Sequence, residues 1–223
     1  MLSGRMLGQG TKPMSREAML SSIREALGRK ADDPVAEAPP VRLRVPETDR
    51  AGRIAQFLAA LEALNVHSLV AADHGQARDY VADLVRGKSA VASNDPLLEE
   101  LGVLELPEVE GGVRDLASLR EKTARCEIGI TSASYGLADT GSLVMLASQK
   151  EARLVSLLPP VHVALLPTER LLSGLDELFG MLPVPARSTS SLVLITGPSR
   201  TADIEQILVR GVHGPGEVHV VLV

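Results

Sequence analysis

Short apolar segments alternate with amphipathic ones from about residue 48 onward, and this alternation restricts the fold more than any other feature of the sequence. Ile54, Phe57, Leu61 and Leu64 recur at three- and four-residue steps, which is the spacing of a helix with one apolar face. The segment 66–71 that follows predicts a strand. The same order of strand and helix then repeats, which is typical of the βαβ units of a parallel sheet.

The second half of the chain differs in the length of its connections. Four predicted strands, at 128–131, 142–147, 154–157 and 161–166, follow one another closely. Short connections favour antiparallel pairing, because a parallel crossover needs a dozen or more residues. We therefore predict a single three-layer α/β domain with a mixed, mostly parallel sheet.

The other predicted elements fit around these. The further strands are 66–71, 89–92, 103–106, 192–196 and 217–223, with a loop at 107–112. The predicted helices are 15–28, a second one that Thr48 caps, 76–86, 96–101, 115–123, 168–182 and 201–209.

The first 47 residues form three predicted segments outside this domain. Residues 1–13 lack the apolar stretch of a secretory signal, and we expect them to be disordered or to come from a start codon assigned too early. Residues 14–29 form a helix, and residues 30–47 form an extended linker rich in Pro and Ala. The α/β domain then covers 48–223. The tethered helix could dock on that domain, on a second copy of the chain or on a partner.

Composition excludes several classes of protein. Apolar residues make up 45% of the chain and aromatic residues only 2%, so the core must be aliphatic. Few aromatic side chains and a net charge of −5 argue against nucleic-acid binding. The single cysteine, Cys126, cannot form an intramolecular disulfide, which favours a cytoplasmic location, and it cannot supply the four thiolates of an iron–sulfur cluster. No apolar run reaches the roughly 18 residues of a membrane-spanning helix.

The stretch from Gly197 to Glu205 predicts a turn between a strand and a helix, whose N–H groups could hold an anion. Ser199 or Thr201 could cap that helix, and Arg200 could clamp a carboxylate or phosphate. Asp203 places a negative charge in the first turn of the same helix. These residues favour one carboxylate, a hydroxylated ligand or an internal Arg–Asp pair over a polyanion. An ordinary capped turn without a ligand is an equally good interpretation.

Two further turns contain side chains that could take part in catalysis or ligand binding. Gly141 permits a backbone conformation that other residues avoid, and Asp139 beside it could act as a base, bind a hydroxyl or fix the turn. His213 could exchange a proton near neutral pH or could be a surface residue without chemistry, and His162 is open to the same two interpretations. The sequence contains no His-Glu-x-x-His motif and no Cys/His cluster, so we predict no metal site.

Five stretches together resemble the lactate utilization protein C family, also called the LUD-domain family: 129–131, 138–142, 158–162, 197–205 and 211–215. The resemblance is dense from about residue 126 onward. It implies a fold similar to that of sugar-phosphate isomerases and coenzyme A transferases. Bacterial members of the family are implicated in oxidising L-lactate to pyruvate, beside partner proteins that carry iron–sulfur clusters.

The resemblance implies an accessory subunit of a cytoplasmic lactate-oxidation system, with no cofactor on this chain and the iron–sulfur clusters on its partners. One alternative is a free-standing small-molecule-binding enzyme of isomerase or transferase type that acts on a carboxylate or phosphate ligand. Another is a regulatory or scaffold protein with a vestigial pocket. Nucleic acid and membrane are not expected as partners, and a homo-oligomer is compatible with each alternative.

The same motifs define the predicted site residues. Asp139 and His213 are the catalytic candidates. The ligand-binding candidates are Thr131, Thr140, Gly141, Ser142, His162, Gly197, Pro198, Ser199, Arg200, Thr201, Asp203 and Gly214.

Overall fold

The computed structural model describes residues 15–28, 30, 33, 48–201, 209–211 and 213–223. Its contacts divide the chain into two units, residues 1–41 and 42–223. The predicted disordered start at 1–13 lies outside the described residues, as do all but two positions of the predicted linker at 30–47.

The first unit contains the helix α1 (Arg16–Ala26), which the sequence predicted. Ser15 caps it by accepting a hydrogen bond from the Ala18 N–H at 3.2 Å, and Gly28 follows its end with a φ of +62°. Both features are typical helix boundaries.

The described helices of the second unit are α2 (Arg50–Ala63), α3 (His74–Val85), α4 (Pro96–Glu100), α5 (Leu116–Arg125), α6 (Arg153–Leu157) and α7 (Leu175–Met181). Four of these six helices, α2 to α5, begin after an aspartate whose carboxylate caps the helix, whereas α6 and α7 have no side-chain cap. Asp49, and not the predicted Thr48, caps α2, because its carboxylate accepts a hydrogen bond from the Gly52 N–H at 2.8 Å.

Strands of the described residues form two sheets and one small pair. They are β1 (His67–Val70), β2 (Ala90–Ala92), β3 (Val109–Glu110), β4 (Ile128–Ser132), β5 (Tyr135–Leu137), β6 (Ser142–Leu146), β7 (Val161–Leu166), β8 (Leu171–Leu172), β9 (Leu192–Ile195), β10 (Arg200–Thr201), β11 (Val209–Arg210) and β12 (Glu217–Leu222). A six-stranded sheet has the order β1-β12-β7-β4-β2-β3, and all of its pairs are parallel. A four-stranded mixed sheet has the order β8-β5-β6-β9, and β10 pairs with β11.

The six-stranded sheet is the middle layer of the domain. On one face, α3 and α4 pack against Ile130 and Val163. On the other face, α2 and β6 pack against Ala164 and Val220. The predicted three-layer α/β fold with mostly parallel strands is therefore confirmed. The antiparallel pairs, however, lie outside the six-stranded sheet, in the four-stranded mixed sheet and in the β10–β11 pair.

Several segments have a different secondary structure from the predicted one, and contacts with distant parts of the chain explain the differences. The predicted strand at 154–157 is the helix α6, which lies over Gly129, and the predicted strand at 103–106 is a 3₁₀ helix, Val103–Glu105. The predicted loop at 107–112 contains β3, which pairs with β2. The predicted helix at 168–182 is interrupted by β8, because the two residues of β8 pair with β5. The sequence did not predict β5.

The helix predicted from Thr201 to Val209 is wrong at both ends. Thr201 belongs to β10 and Val209 to β11, and these two residues are cross-strand partners. Residues 202–208, which include Asp203, lie outside the described residues. The backbone of Thr201 is therefore extended and not helical.

Candidate functional site

The turn that contains Asp139 and Gly141 connects β5 to β6 and packs against α2. Gly141 has a φ of +65°, and a Cβ at this position would lie 3.0 Å from that of Ala60. Both the conformation and the close approach require glycine here. The Ser142 hydroxyl donates to Thr140 Oγ1 at 2.8 Å and lies 2.7 Å from Thr196 Oγ1. This turn is therefore tied to the end of β9.

Asp139 lies at the exposed side of this turn. Its N–H donates to the Ser173 carbonyl at 3.2 Å, and its carboxylate lies 2.5 Å from the position that a Cβ on Gly174 would take. The carboxylate is therefore packed against the residues that precede α7. This position allows Asp139 to fix the turn, which is one of the three roles that the sequence left open.

The loops at 197–201 and 211–215 are joined by backbone hydrogen bonds. The Ser199 N–H donates to the Pro215 carbonyl at 2.8 Å, and the Gly211 N–H donates to the Ser199 carbonyl at 3.1 Å. The Ser199 N–H therefore already has a protein partner and is not free to bind an anion. Pro198, within the first of these loops, is buried.

The Arg200 side chain contacts the end of α2. Its guanidinium donates to the carbonyl of Leu64 at 2.6 Å, at the end of α2. Gly197 lies at the same place, since a Cβ on it would stand 3.1 Å from that of Leu64. In this structure Arg200 therefore connects its loop to α2.

His213 and Gly214 line an open cleft of about 870 Å³. The loop that contains them precedes β12, and Pro160, which precedes β7, lies in the same cleft. The cleft is therefore at the amino-terminal edge of the parallel sheet, opposite to the carboxyl ends where ligands of such sheets usually bind. Arg120 of α5 and Arg153 of α6 also line it and supply two positive charges.

Thr131 and His162 form a buried pair within the six-stranded sheet. His162 Nε2 lies 2.8 Å from Thr131 Oγ1, and both residues are 0% exposed. Burial, with a smaller effect of His219, lowers the pKa of His162 to about 4. His162 is therefore neutral at physiological pH. The predicted site residues that the structure describes thus fall into three groups: the turn 139–142, the joined loops, of which His213 and Gly214 line the cleft, and this buried pair.

Glu151 is a buried carboxyl group that the sequence did not indicate. It lies at the carboxyl ends of β2 and β4, where its Oε2 accepts a hydrogen bond from the Ser132 N–H at 3.3 Å. Burial raises its pKa to about 8, although the nearby Ser93 hydroxyl and the Ser132 N–H act in the opposite direction. The Ser93 hydroxyl is close enough for this effect but does not meet hydrogen-bond geometry. Glu151 is therefore largely protonated at neutral pH.

A cavity of about 170 Å³ is lined by Lys150 and Ala152, the residues on either side of Glu151 in the chain, although Glu151 itself is not part of its lining. Ser93, Asn94 and Lys150 are among the residues that line it. Among the described residues, Glu151 Oε1 and the hydroxyls of Ser93 and Ser132 are buried without a hydrogen-bond partner. A buried carboxylic acid with such neighbours can donate or accept a proton. Glu151 follows a polar loop in the sequence, and that pattern carries no signal of burial.

Among the described residues, no helix is both long enough and apolar enough to cross a membrane.

Known proteins with similar sequences include two proteins of lactate utilization. The chain is 37% identical over 150 residues to lactate utilization protein C of Halalkalibacterium halodurans, and the match covers 63% of this chain and 64% of that relative, slightly less than two thirds of its length. It is 28% identical over 229 residues to lactate utilization protein C of Bacillus velezensis, with 93% and 95% covered. It is also 30% identical over 218 residues to the uncharacterized protein YkgG of Escherichia coli K12, with 90% and 94% covered.

A solved structure shows the same fold. The crystal structure of a DUF162 family protein from Deinococcus radiodurans superposes with a TM-score of 0.62 at 17% sequence identity, covering 78% of this chain and 98% of that one. Residues 54–223 match the LUD domain, which is most of the chain. The resemblance that the motifs suggested is therefore confirmed, and this protein belongs to the LUD-domain family of lactate utilization protein C.

Proposed function

We propose that this protein takes part in the oxidation of L-lactate to pyruvate, as an accessory component beside partner proteins that carry iron–sulfur clusters. The observation that supports it is the similarity to lactate utilization protein C of Bacillus velezensis, which extends over 93% of this chain and 95% of that protein. The two electrons that lactate loses would pass to the clusters of the partners, and its two protons to solvent.

Cys126 is consistent with this division of roles. It is the single cysteine of the chain, and it is buried at the end of α5, two residues before β4. Burial is the main cause that raises the pKa of its thiol, so the thiolate that a cluster needs is disfavoured. The redox groups of the proposed system would therefore lie on other chains.

Deletion of the gene tests this proposal. We expect the deletion strain to lose growth on L-lactate and lactate oxidation in its lysate, and the wild-type gene to restore both. A pull-down of the tagged protein from its own cells should yield brown partners with the absorption of iron–sulfur clusters. Unchanged growth and unchanged lactate oxidation in the deletion strain would refute the proposal.

A second candidate function rests on the cleft beside His213. Arg120 and Arg153 line it together with this histidine, and guanidinium groups are suited to binding carboxylates and phosphates. We infer that the cleft can hold a small anion, which favours the alternative of a small-molecule-binding enzyme. His213 would then be placed to exchange a proton with the bound ligand.

Thermal-shift titrations with lactate, pyruvate, coenzyme A and sugar phosphates test this second function. We expect at least one of them to raise the melting temperature, and Arg153→Ala or Arg120→Ala to abolish the increase. Arg125→Ala is the matched control, since Arg125 is also on α5 but pairs with Glu121 at 2.8 Å. An increase that survives both cleft substitutions would exclude this cleft as the binding site.

A further inference from the structure

Three potential metal ligands meet at the amino-terminal ends of β1 and β12. His67 is the first residue of β1, and His219 is its in-register partner on β12. Glu217 lies two residues before His219, and side chains two positions apart in a strand point to the same face. The ligand atoms of these three residues all lie within 4.8 Å of one another.

Direct contacts hold the cluster together. His219 Nε2 lies 2.7 Å from Glu217 Oε1, and His67 Nε2 lies 3.9 Å from the same oxygen. The two imidazole rings stack with their centroids 4.7 Å apart. Two neutral imidazoles and one carboxylate, with a position left open to water, are a donor set that zinc commonly takes.

We propose that His67, Glu217 and His219 form a binding site for Zn²⁺ or a similar divalent transition metal ion. This site is separate from the cleft beside His213 and from the buried Glu151, and it does not depend on the proposed role in lactate oxidation. The sequence could not indicate it, because two of its ligands are far apart in the chain and come together only through the parallel pairing of β1 with β12.

Small side-chain movements would complete the coordination. Zinc bonds of 2.0–2.2 Å in a tetrahedral arrangement place ligand atoms about 3.3 Å from one another. Glu217 must therefore move slightly away from His219, and His67 must move toward Glu217. The side chains of His67 and Glu217 are 62% and 49% exposed, so both have room to rotate, whereas that of His219 is only 5% exposed and stays fixed.

Tyr80 of α3 orients the buried ligand. Its hydroxyl lies 2.8 Å from His219 Nδ1, on the side of the ring opposite to Glu217. Without metal, His219 donates its Nε2 proton to Glu217 and accepts from Tyr80. With metal on Nε2, the ring proton moves to Nδ1 and is donated to the Tyr80 oxygen. Such a partner of a metal-binding histidine fixes the ring and its tautomer. Lys88 lies near the cluster and opposes a cation electrostatically.

The test uses the untagged full chain, stripped of metal with a chelator and then equilibrated with Zn²⁺. We expect about one tightly bound zinc ion per chain by elemental analysis, and the visible absorption of a four-coordinate site when Co²⁺ replaces zinc. His67→Ala and Glu217→Gln should each abolish both signals. Tyr80→Phe should weaken binding by about 10- to 100-fold, the usual effect of removing such a partner.

His74→Ala is the matched control, since His74 is exposed at the start of α3 and outside the cluster. We expect it to bind metal as the wild type does. The proposal is overturned if the wild type binds no zinc, if the His67→Ala and Glu217→Gln variants bind as well as the wild type, or if His74→Ala removes binding. Circular dichroism of each variant shows that a loss of metal is not a loss of fold.

Discussion

The carbonyl oxygen of Val155 occupies the space that a side chain on Gly129 would need. A Cβ built on Gly129 would lie 1.9 Å from that oxygen and 3.0 Å from a side-chain atom of Pro159. The backbone of α6 therefore lies directly on β4, in the centre of the six-stranded sheet. No rotation of a side chain can relieve this overlap, because the nearest atom belongs to the backbone.

Gly129→Ala should consequently destabilise the protein. The added methyl group forces α6 away from β4, and we expect the free energy of unfolding to fall by about 3 kcal/mol or more. Urea denaturation followed by circular dichroism measures this change. Gly216→Ala is the control, since a Cβ there meets its nearest atom at an ordinary 3.6 Å. Equal stability of the two variants would contradict the close packing of α6.

Ser142→Ala and Thr196→Val should each destabilise the protein and should do so through one shared interaction. Their hydroxyls lie 2.7 Å apart and connect the turn after Asp139 to the end of β9. We expect about 1 kcal/mol of coupling in a double-mutant cycle, the usual size of one hydrogen bond. Strictly additive effects would show that the two segments are not energetically linked.

Glu151→Gln should stabilise the protein increasingly as the pH rises. The pKa of Glu151 is about 8 in the folded state against an ordinary value of 4.5, so the unfolded chain loses this proton first. Wild-type stability therefore falls between about pH 4.5 and pH 8 because of this group, and a glutamine lacks that loss. We expect a difference on the order of 4 kcal/mol at pH 8. Urea denaturation at several pH values measures it.

Glu100→Gln is the control for this comparison, because Glu100 is exposed at the end of α4. Its stability should differ from that of the wild type by nearly the same amount at every pH. A Glu151→Gln variant that followed the wild type from pH 4.5 to pH 8 would show that Glu151 ionises normally.

His162, in contrast to Glu151, should make the protein less stable as the pH falls. Its pKa is about 4 in the folded state and near 6.5 when unfolded, so the unfolded chain takes up the proton first as the pH falls. The stability that this group provides is complete above pH 6.5 and is lost between pH 6.5 and pH 4. The loss is about 3 kcal/mol. Nitrogen-15 NMR should show a neutral His162 ring at pH 5.5, and a charged ring at that pH would refute the prediction.

The sequence correctly predicted the elements whose own residues determine their secondary structure. The strand at 161–166 has the bounds that the apolar run indicated, and Ser15 and Gly28 marked the ends of α1. The predictions were wrong for segments whose secondary structure depends on a partner that is distant in the sequence. Residues 154–157 are mostly apolar and form a segment short enough to be a strand or a helix, and the missing side chain of Gly129 allows a helix there.

In the candidate site, too, only those features that depend on local sequence could be predicted. The turn at Gly141 could be predicted, since the residue itself carries the conformational requirement. The partner of Arg200 could not, because it is a backbone carbonyl 136 residues away. The burial of Glu151 and the meeting of His67 with His219 are also consequences of the assembled sheet.

The position of β12 between β1 and β7 has a consequence for how the chain is made. As the protein is synthesised, β1 emerges about 150 residues before the strand that supplies its hydrogen bonds, and such distant pairing is slow to form. Until residues 217–222 insert, β1 has no neighbour in its sheet and β7 has one open side. Unpaired strand edges attract other chains. A nascent chain that stalls before β12 should therefore be a strong client for the chaperones that shield such edges.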